Sequence, residues 1–145
     1  MNLIIQAAGK KDIKEITGLL NDNKLPTTDI KEDAVQLFVG LFNNKIIGTV
    51  GLERYNQVGL LRSLAVEEAF KNQKVGTMLM DWLFDFCVNE KINELYLLTT
   101  TAEKYFLKLG FQRIDRNTVP DPINKTREFK DICPASAVAM YMRVE

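Results

Sequence analysis

Apolar residues along this chain alternate between the two periods that regular backbone allows, every second position for a strand and every third or fourth for a helix. Ile4 to Ala7 predicts a short strand. Asp12 and Glu15 then stand at capping-box spacing and open a helix with an Ile13, Ile16 and Leu20 stripe, which the polar run from Asn21 to Pro26 ends. Residues 27–34 offer a short helical turn at most. From Gln36 to Tyr55, two stretches rich in apolar and β-branched residues flank Asn43-Asn44, the signature of a hairpin. After Asn56-Gln57 the segment VGLLRSLAV (58–66) supplies a third strand, so the middle of the chain reads as an antiparallel meander.

The second half begins with a strong helix. From Val75 onward, Met78, Leu79, Trp82, Leu83 and Phe86 recur at helical spacing, while Thr77, Asp81, Asp85 and Asn89 share the opposite face. ELYLLTT reads as a buried strand. Thr100 and Glu103 then form a second capping-box pair before the helix AEKYFLKL, which Gly110 stops. FQRID returns to strand. A loop over 116–135 holds Pro120, Pro122 and Pro134, with an Asp121-Pro122 start for a short helix, and it leads to the last apolar run, SAVAMYM.

Composition narrows the classes. The chain has 145 residues, 46% of them hydrophobic, which fits one globular domain over 1–145 with a sizeable core. Nineteen basic side chains match nineteen acidic ones, so no global field favours nucleic acid or an anionic membrane as partner. No charged leader opens the chain, and no apolar run approaches the ~18 residues that span a bilayer. A soluble, cytoplasmic protein is expected. Cys87 and Cys133 stand far apart in a chain without histidine, so neither a metal site nor a histidine-based triad is expected. Cys87 reads as core and Cys133 as a half-buried thiol.

One stretch carries candidate chemistry. A strand ending at Val66, a short turn and a helix from Val75 leave unpaired amides at a positive helix end. Lys71, Asn72, Gln73, Lys74, Val75, Gly76 and Thr77 are therefore a candidate anion cradle, although lysines before a helix are usually only solvated.

Together with the order of elements, LRSLAV, FKNQKVG and KYFLKLGF resemble the GNAT superfamily of N-acetyltransferases over essentially the whole chain. The resemblance implies an α+β fold: a mixed, mostly antiparallel central sheet of about six or seven strands, flanked by helices and with splayed central strands. It implies acetyl-CoA as co-substrate, no metal, and a small-molecule amine as acceptor. Dimers are common in that superfamily, so a homodimer is an open partner. In the family the turn carries Arg or Gln, two variable residues, Gly, one variable residue, then Gly or Ala. Here Lys71 takes the first position, Lys74 replaces the first glycine and Gly76 matches the last. Lys74 is expected to keep a negative φ, with its side chain swung out toward the 3′-phosphate of the cofactor. More narrowly, GLLRSLAV, LYLLTTTAEKYFLKLGF and TREFKDICPASA look like the N-acetyltransferases associated with bacterial arsenic-resistance operons. That likeness implies acetylation of the α-amino group of small amino-acid-like toxins.

The same resemblance distributes roles. Free amides at Leu64, Ala65 and Val66 would hold pantetheine and the thioester oxygen. Phe106 stands where the family places a tyrosine acid and is expected to pack on pantetheine. Tyr105 is turned about 100° away on the helix, so it either reaches the sulfur through a shifted helix or forms a wall while water protonates the thiolate. Glu53 is a candidate base acting through water, or else an ion-pair partner of Arg54, Arg62 or a lysine. Arg62 interrupts an apolar strand and needs a partner, either a substrate carboxylate or Glu53. Arg127 is a second candidate for a carboxylate, or an ordinary surface arginine. Two classes stay open: an acetyltransferase, favoured because main-chain amides survive substitution, and a degenerate member that binds CoA or a small ligand as sensor or partner subunit.

Overall fold

In the computed structural model, which describes residues 1–144, the meander forms as its pattern predicts. Strands β1 (Ile4–Ala7), β2 (Val35–Phe42), β3 (Lys45–Tyr55) and β4 (Val58–Val66) pair antiparallel in sequence order. Asn43 and Asn44 link β2 to β3 with φ of 51° and 64°, the left-handed pair whose twist matches that of the flanking strands. Three further strands, β5 (Glu94–Thr99), β6 (Gln112–Ile114) and β7 (Val138–Arg143), complete a seven-stranded sheet of order β1-β2-β3-β4-β5-β7-β6. The mixed, helix-flanked sheet implied by the resemblance is present.

The junction of β4 and β5 is the feature that positions everything else. These two strands run parallel, yet they are in register only from Val58, Gly59 and Leu60 to Glu94, Leu95 and Tyr96. Beyond that point they part. A bulge lies where the parting begins: between Thr49 and Gly51 the β3 register slips, and Ser63 takes a left-handed φ of 57°. An extra residue on one strand bends it and raises its local twist, which turns the end of β4 away from β5.

Helices cover both faces. Helix α2 (Val75–Asn89) buries Val75, Leu79, Met80, Leu83 and Cys87 in the main core, while Trp82 and Phe86 stack on each other and lean on Phe38 from its rim. Gly48 is what lets this helix lie close, because a Cβ there would come within 2.8 Å of Leu79 and 3.2 Å of Val75. On the opposite face, α1 (Ile13–Asp22) packs Ile16 and Leu20 with Leu37 and Val39. A third cluster, Leu60, Tyr96, Ile123 and Phe129, lies beneath the long loop.

Local details depart from the sequence expectation at both helix starts. The Asp12 carboxylate accepts from the Gly9 amide at 2.8 Å and belongs to a tight turn over Lys10–Asp12, rather than capping α1 jointly with Glu15. At α3 (Glu103–Leu109) it is Thr99, not Thr100, whose hydroxyl accepts from the Ala102 amide, at 3.0 Å. Gly110 ends α3 with φ of 110°, as expected of a left-handed C-terminal stop. The long loop contains α4 (Asp121–Asn124) and a wide π-type turn over Glu128–Ile132, in which the Cys133 amide reaches back to the Glu128 carbonyl at 3.1 Å. Arg116 fastens that turn, donating to the carbonyls of Phe129 and Pro134 at 2.9 Å each and lying over the Phe129 ring.

Candidate functional site

Where β4 and β5 diverge, the sheet opens into a cleft of about 990 Å³. That is the upper end of the volume typical of small-molecule sites. Its walls are the end of β4, the end of β5, the first turn of α2, the start of α3, the segment after α1 and the 128–137 stretch.

At the mouth of α2 the backbone is arranged for an anion. Asn72 and Lys74 both take left-handed φ, 70° and 64°. Lys74 therefore adopts the very backbone a glycine would supply, contrary to the negative φ expected of it. Among the described residues no protein oxygen accepts from the amides of residues 72–77; the first helix amide with a partner is that of Met78, bonded to the Lys74 carbonyl at 3.0 Å. No side chain caps the helix either. Unpaired amides at a positive helix end, gathered by left-handed residues, make a concave donor surface. Gly76 allows close approach here, since a Cβ would lie 3.2 Å from the Tyr105 hydroxyl. Lys71, Asn72, Lys74, Val75, Gly76 and Thr77 all line the cleft. Gln73 does not; its side-chain amide turns back to donate to the Ala69 carbonyl at 3.5 Å. The Lys71 charge is shared with Glu68 at 3.0 Å.

Along β4, donor direction alternates. The Glu67 amide bonds to Ile47 of β3, so Val66, one residue earlier, presents its amide and carbonyl to the open side, as does Leu64. Asn23 confirms that direction by donating to the Val66 carbonyl at 3.3 Å. Ala65 instead stands in register with Thr49, which directs its amide to β3 rather than to the cleft. The Phe106 ring is buried, set edge-on to Tyr105 and Phe111 and facing the cleft. The Tyr105 hydroxyl stands 3.5 Å from that of Thr77, forming a wall at the start of α2.

Behind the cleft floor lies a buried charge cluster. The Arg62 side chain has no solvent exposure and holds Asp29 through a two-pronged pair at 2.5 and 2.6 Å. It also holds Glu53 at 2.8 Å and donates to the Ser63 hydroxyl at 3.2 Å. The other Glu53 oxygen accepts from Tyr55 at 2.5 Å. A third carboxylate, that of Glu128, stands 3.7 Å from Nε of Arg62. Burial drives the Asp29 carboxyl up, but the hydrogen bonds and charge of Arg62 outweigh this and leave it below its ordinary value. Glu128 goes the other way. Burial pushes it up to about 7; the Arg62 charge opposes this, while Asp29 and Glu53 add to it. The neighbouring Cys133 thiol is pushed up to about 12, first by burial and then by Glu128, so it stays protonated and unreactive at neutral pH.

These positions revise the roles drawn from the sequence. Glu53 is sealed between Arg62 and Tyr55, the ion-pair alternative, and does not line the cleft. Arg62 spends its fork on Asp29 and Glu53, which leaves none of it for a substrate carboxylate. Arg127 is half exposed, bound to Glu32 at 2.6 Å, and does not line the cleft. Asp29 and Glu128 escaped sequence reasoning. The available signal was Arg62 itself, a buried fork of five N–H donors in an apolar strand, which needs more acceptors than Glu53 alone provides.

Residues 9–111 match the acetyltransferase (GNAT) family. The chain is 28% identical over 101 residues to an uncharacterised N-acetyltransferase of Chlorobaculum tepidum, a match that takes in 69% of this chain and 64% of that relative, just under two thirds of its length. Among solved structures, it is similar to N-acetylglutamate synthase from Neisseria gonorrhoeae complexed with coenzyme A and N-acetyl-glutamate, with TM-score 0.84 and 18% identity, over all of this chain and 36% of that one. It is also similar to an acetyltransferase of the GNAT family from Staphylococcus aureus Mu50, with TM-score 0.81 and 21% identity, over 99% of this chain and all of that one. With the family match spanning most of the chain and the splayed sheet and amide-lined turn in place, the protein belongs to the GNAT acetyltransferase family.

Proposed function

We propose that this chain is an acetyl-CoA-dependent N-acetyltransferase that acts by direct attack of a small primary amine. The observation that carries this reading is the meeting, in one cleft, of unpaired α2 amides and the outward-facing amides of the parted β4 end. The amides of residues 72–77, with Lys74, fit a pyrophosphate, and Lys74 is placed to add charge toward a further phosphate. Leu64 and Val66 offer main-chain donors to pantetheine and to an oxygen gaining negative charge, an effect worth typically ~3 kcal/mol per donor. Phe106 gives the pantetheine arm an apolar surface. Bound acetyl-CoA supplies an activated acyl carbon and a thiolate leaving group. Phe106 has no proton to give and the Tyr105 hydroxyl lies against Thr77 at the start of α2, so the leaving thiolate takes its proton from the attacking nitrogen or from water in the open cleft.

The amino-acid-like acceptor rests on two supports. The similar gonococcal synthase was solved in complex with coenzyme A and N-acetyl-glutamate. Three segments resemble the acetyltransferases of arsenic-resistance operons, which suggests a detoxifying role. The non-catalytic alternative loses one of its two grounds, because Lys74 keeps the backbone that the missing glycine would have supplied. Thermal melting with millimolar acetyl-CoA, followed by thiol release with a panel of amino acids and amino-acid analogues, tests the reading. A melting shift with turnover is expected; an unchanged melting temperature would refute the cofactor assignment.

A further inference from the structure

The cluster behind the cleft is short of one cation or more. A single guanidinium, Arg62, faces the carboxylates of Asp29, Glu53 and Glu128. Asp29 and Glu53 take up the arginine's hydrogen bonds and lie outside the cleft lining. Glu128 differs on each point. It lines the cleft, its residue is 4% exposed, and among the described residues nothing donates a hydrogen bond to its carboxylate. Among the described residues the one side-chain polar atom that is both fully buried and unbonded is Oδ1 of Asn93, far along the sheet, so the unbonded Glu128 oxygens reach the cavity surface. Along β4, Glu128 stands beside Arg62, next to the point where the strands part, while Val66 and α2 lie at the other end. A thioester laid from α2 along the β4 amides thus points its acyl end toward this carboxylate.

We propose that Glu128 is the acceptor-side catalytic residue, receiving the substrate's ammonium group and removing its proton. The proposal rests on the acetyltransferase reading above. The Glu128 carboxylate takes one proton from R-NH3⁺, giving R-NH2 and a neutral carboxylic acid. The nitrogen lone pair then forms the C–N bond to the acetyl carbon as the C–S bond breaks. A second proton leaves nitrogen for the thiolate, and Glu128 returns its own proton to solvent. Burial is the main reason the neutral acid is easily reached; of the groups facing Glu128, Arg62 from β4 opposes it, Asp29 and Glu53 with its Tyr55 partner add to it, and the protonated Cys133 thiol carries no charge. Arg62, Asp29 and Glu53 act as positioning residues, holding the anionic floor beneath the ammonium.

The test uses the whole chain with Glu128→Gln and Glu128→Asp. Thiol release is followed from pH 5.5 to 9.5 with saturating acetyl-CoA and the panel amine that turns over fastest. The parent kcat/KM should rise with pH through about 7 and then level. Glu128→Gln should lose at least about 100-fold at neutral pH together with that limb, Glu128→Asp should recover part of the rate, and both should keep the acetyl-CoA melting shift. Glu128→Gln within threefold of the parent, with the same pH limb and an intact melting shift, would overturn the assignment. A second measurement needs no turnover: carbon NMR of glutamate-labelled chain with CoA and n-butylammonium. Glu128 should titrate near 7, and the amine should perturb it; titration near 4.5, or indifference to the amine, would equally overturn it. Loss of the acetyl-CoA shift in the parent would indict the cofactor reading instead.

Discussion

At Lys74 a single residue meets two demands at once. Its φ of 64° places a branched backbone carbon where glycine is at ease, at a cost of about 1 kcal/mol. The conformation persists because the turn and the start of α2 fix it from both sides. Lys74→Gly should therefore raise stability by at most about 0.5 kcal/mol in urea unfolding, less than the full strain because glycine also gains freedom in the unfolded chain. The acetyl-CoA melting shift should survive, since the amides stay where they are. Gly76→Glu should do the opposite. Its Cβ would crowd the Tyr105 hydroxyl at 3.2 Å, and its carboxylate would occupy the unpaired α2 amides proposed for phosphate. Loss of the acetyl-CoA shift with a near-normal circular dichroism spectrum is the expected result. A retained shift would mean that phosphate binds elsewhere.

Among the elements, the approach of α2 to the sheet is set by a gap rather than by a contact. Gly48 of β3 lies under Leu79 and Val75, the latter being the first residue of the helix whose amides form the cradle. Gly48→Val should lift that end of α2, costing about 1–3 kcal/mol by overpacking and weakening the acetyl-CoA melting shift more than an equally destabilising change at Leu20 on the far face. Legibility followed the same division between local and distant causes. The hairpin at Asn43-Asn44, the α2 stripe and the Gly110 stop are encoded within a few residues of themselves and could be read directly. Family resemblance implied the parted strands, which no local period reveals. What stayed hidden depended on distant partners: Thr99 rather than Thr100 as the hydroxyl that meets the Ala102 amide before α3, because only the bend at the end of β5 decides which hydroxyl faces it, and Arg62 bound to Asp29 and Glu128 from two loops whose relative placement no periodicity encodes.

For the molecule as a whole, the buried cluster turns the site's chemistry into a pH dependence of folding. Asp29 titrates below its ordinary value in the fold, so its contribution is complete above an ordinary carboxylate pKa and is lost as pH falls through the lowered one. Glu128 has the reverse sign. Its pKa rises from the ordinary 4.5 to about 7, so the folded chain holds a proton the unfolded chain has released, and stability declines as pH climbs between those values. At 1.36 kcal/mol per pH unit the decline is about 3 kcal/mol, complete just above neutrality. Urea unfolding at steps from pH 4.5 to 8 should therefore find the parent most stable near the acidic end of that window. Glu128→Gln removes the titrating group but keeps the side chain's shape. It should flatten the decline and make the variant more stable than the parent at pH 8, the signature of a residue kept for chemistry at the expense of folding. Arg62→Ala should instead cost about 3–5 kcal/mol, because it strands the carboxylates without their counter-charge, and the loss should deepen as pH rises and Glu128 ionises. A parent curve that is level across the window, or a Glu128→Gln curve parallel to it, would show that Glu128 carries no raised pKa in the folded chain.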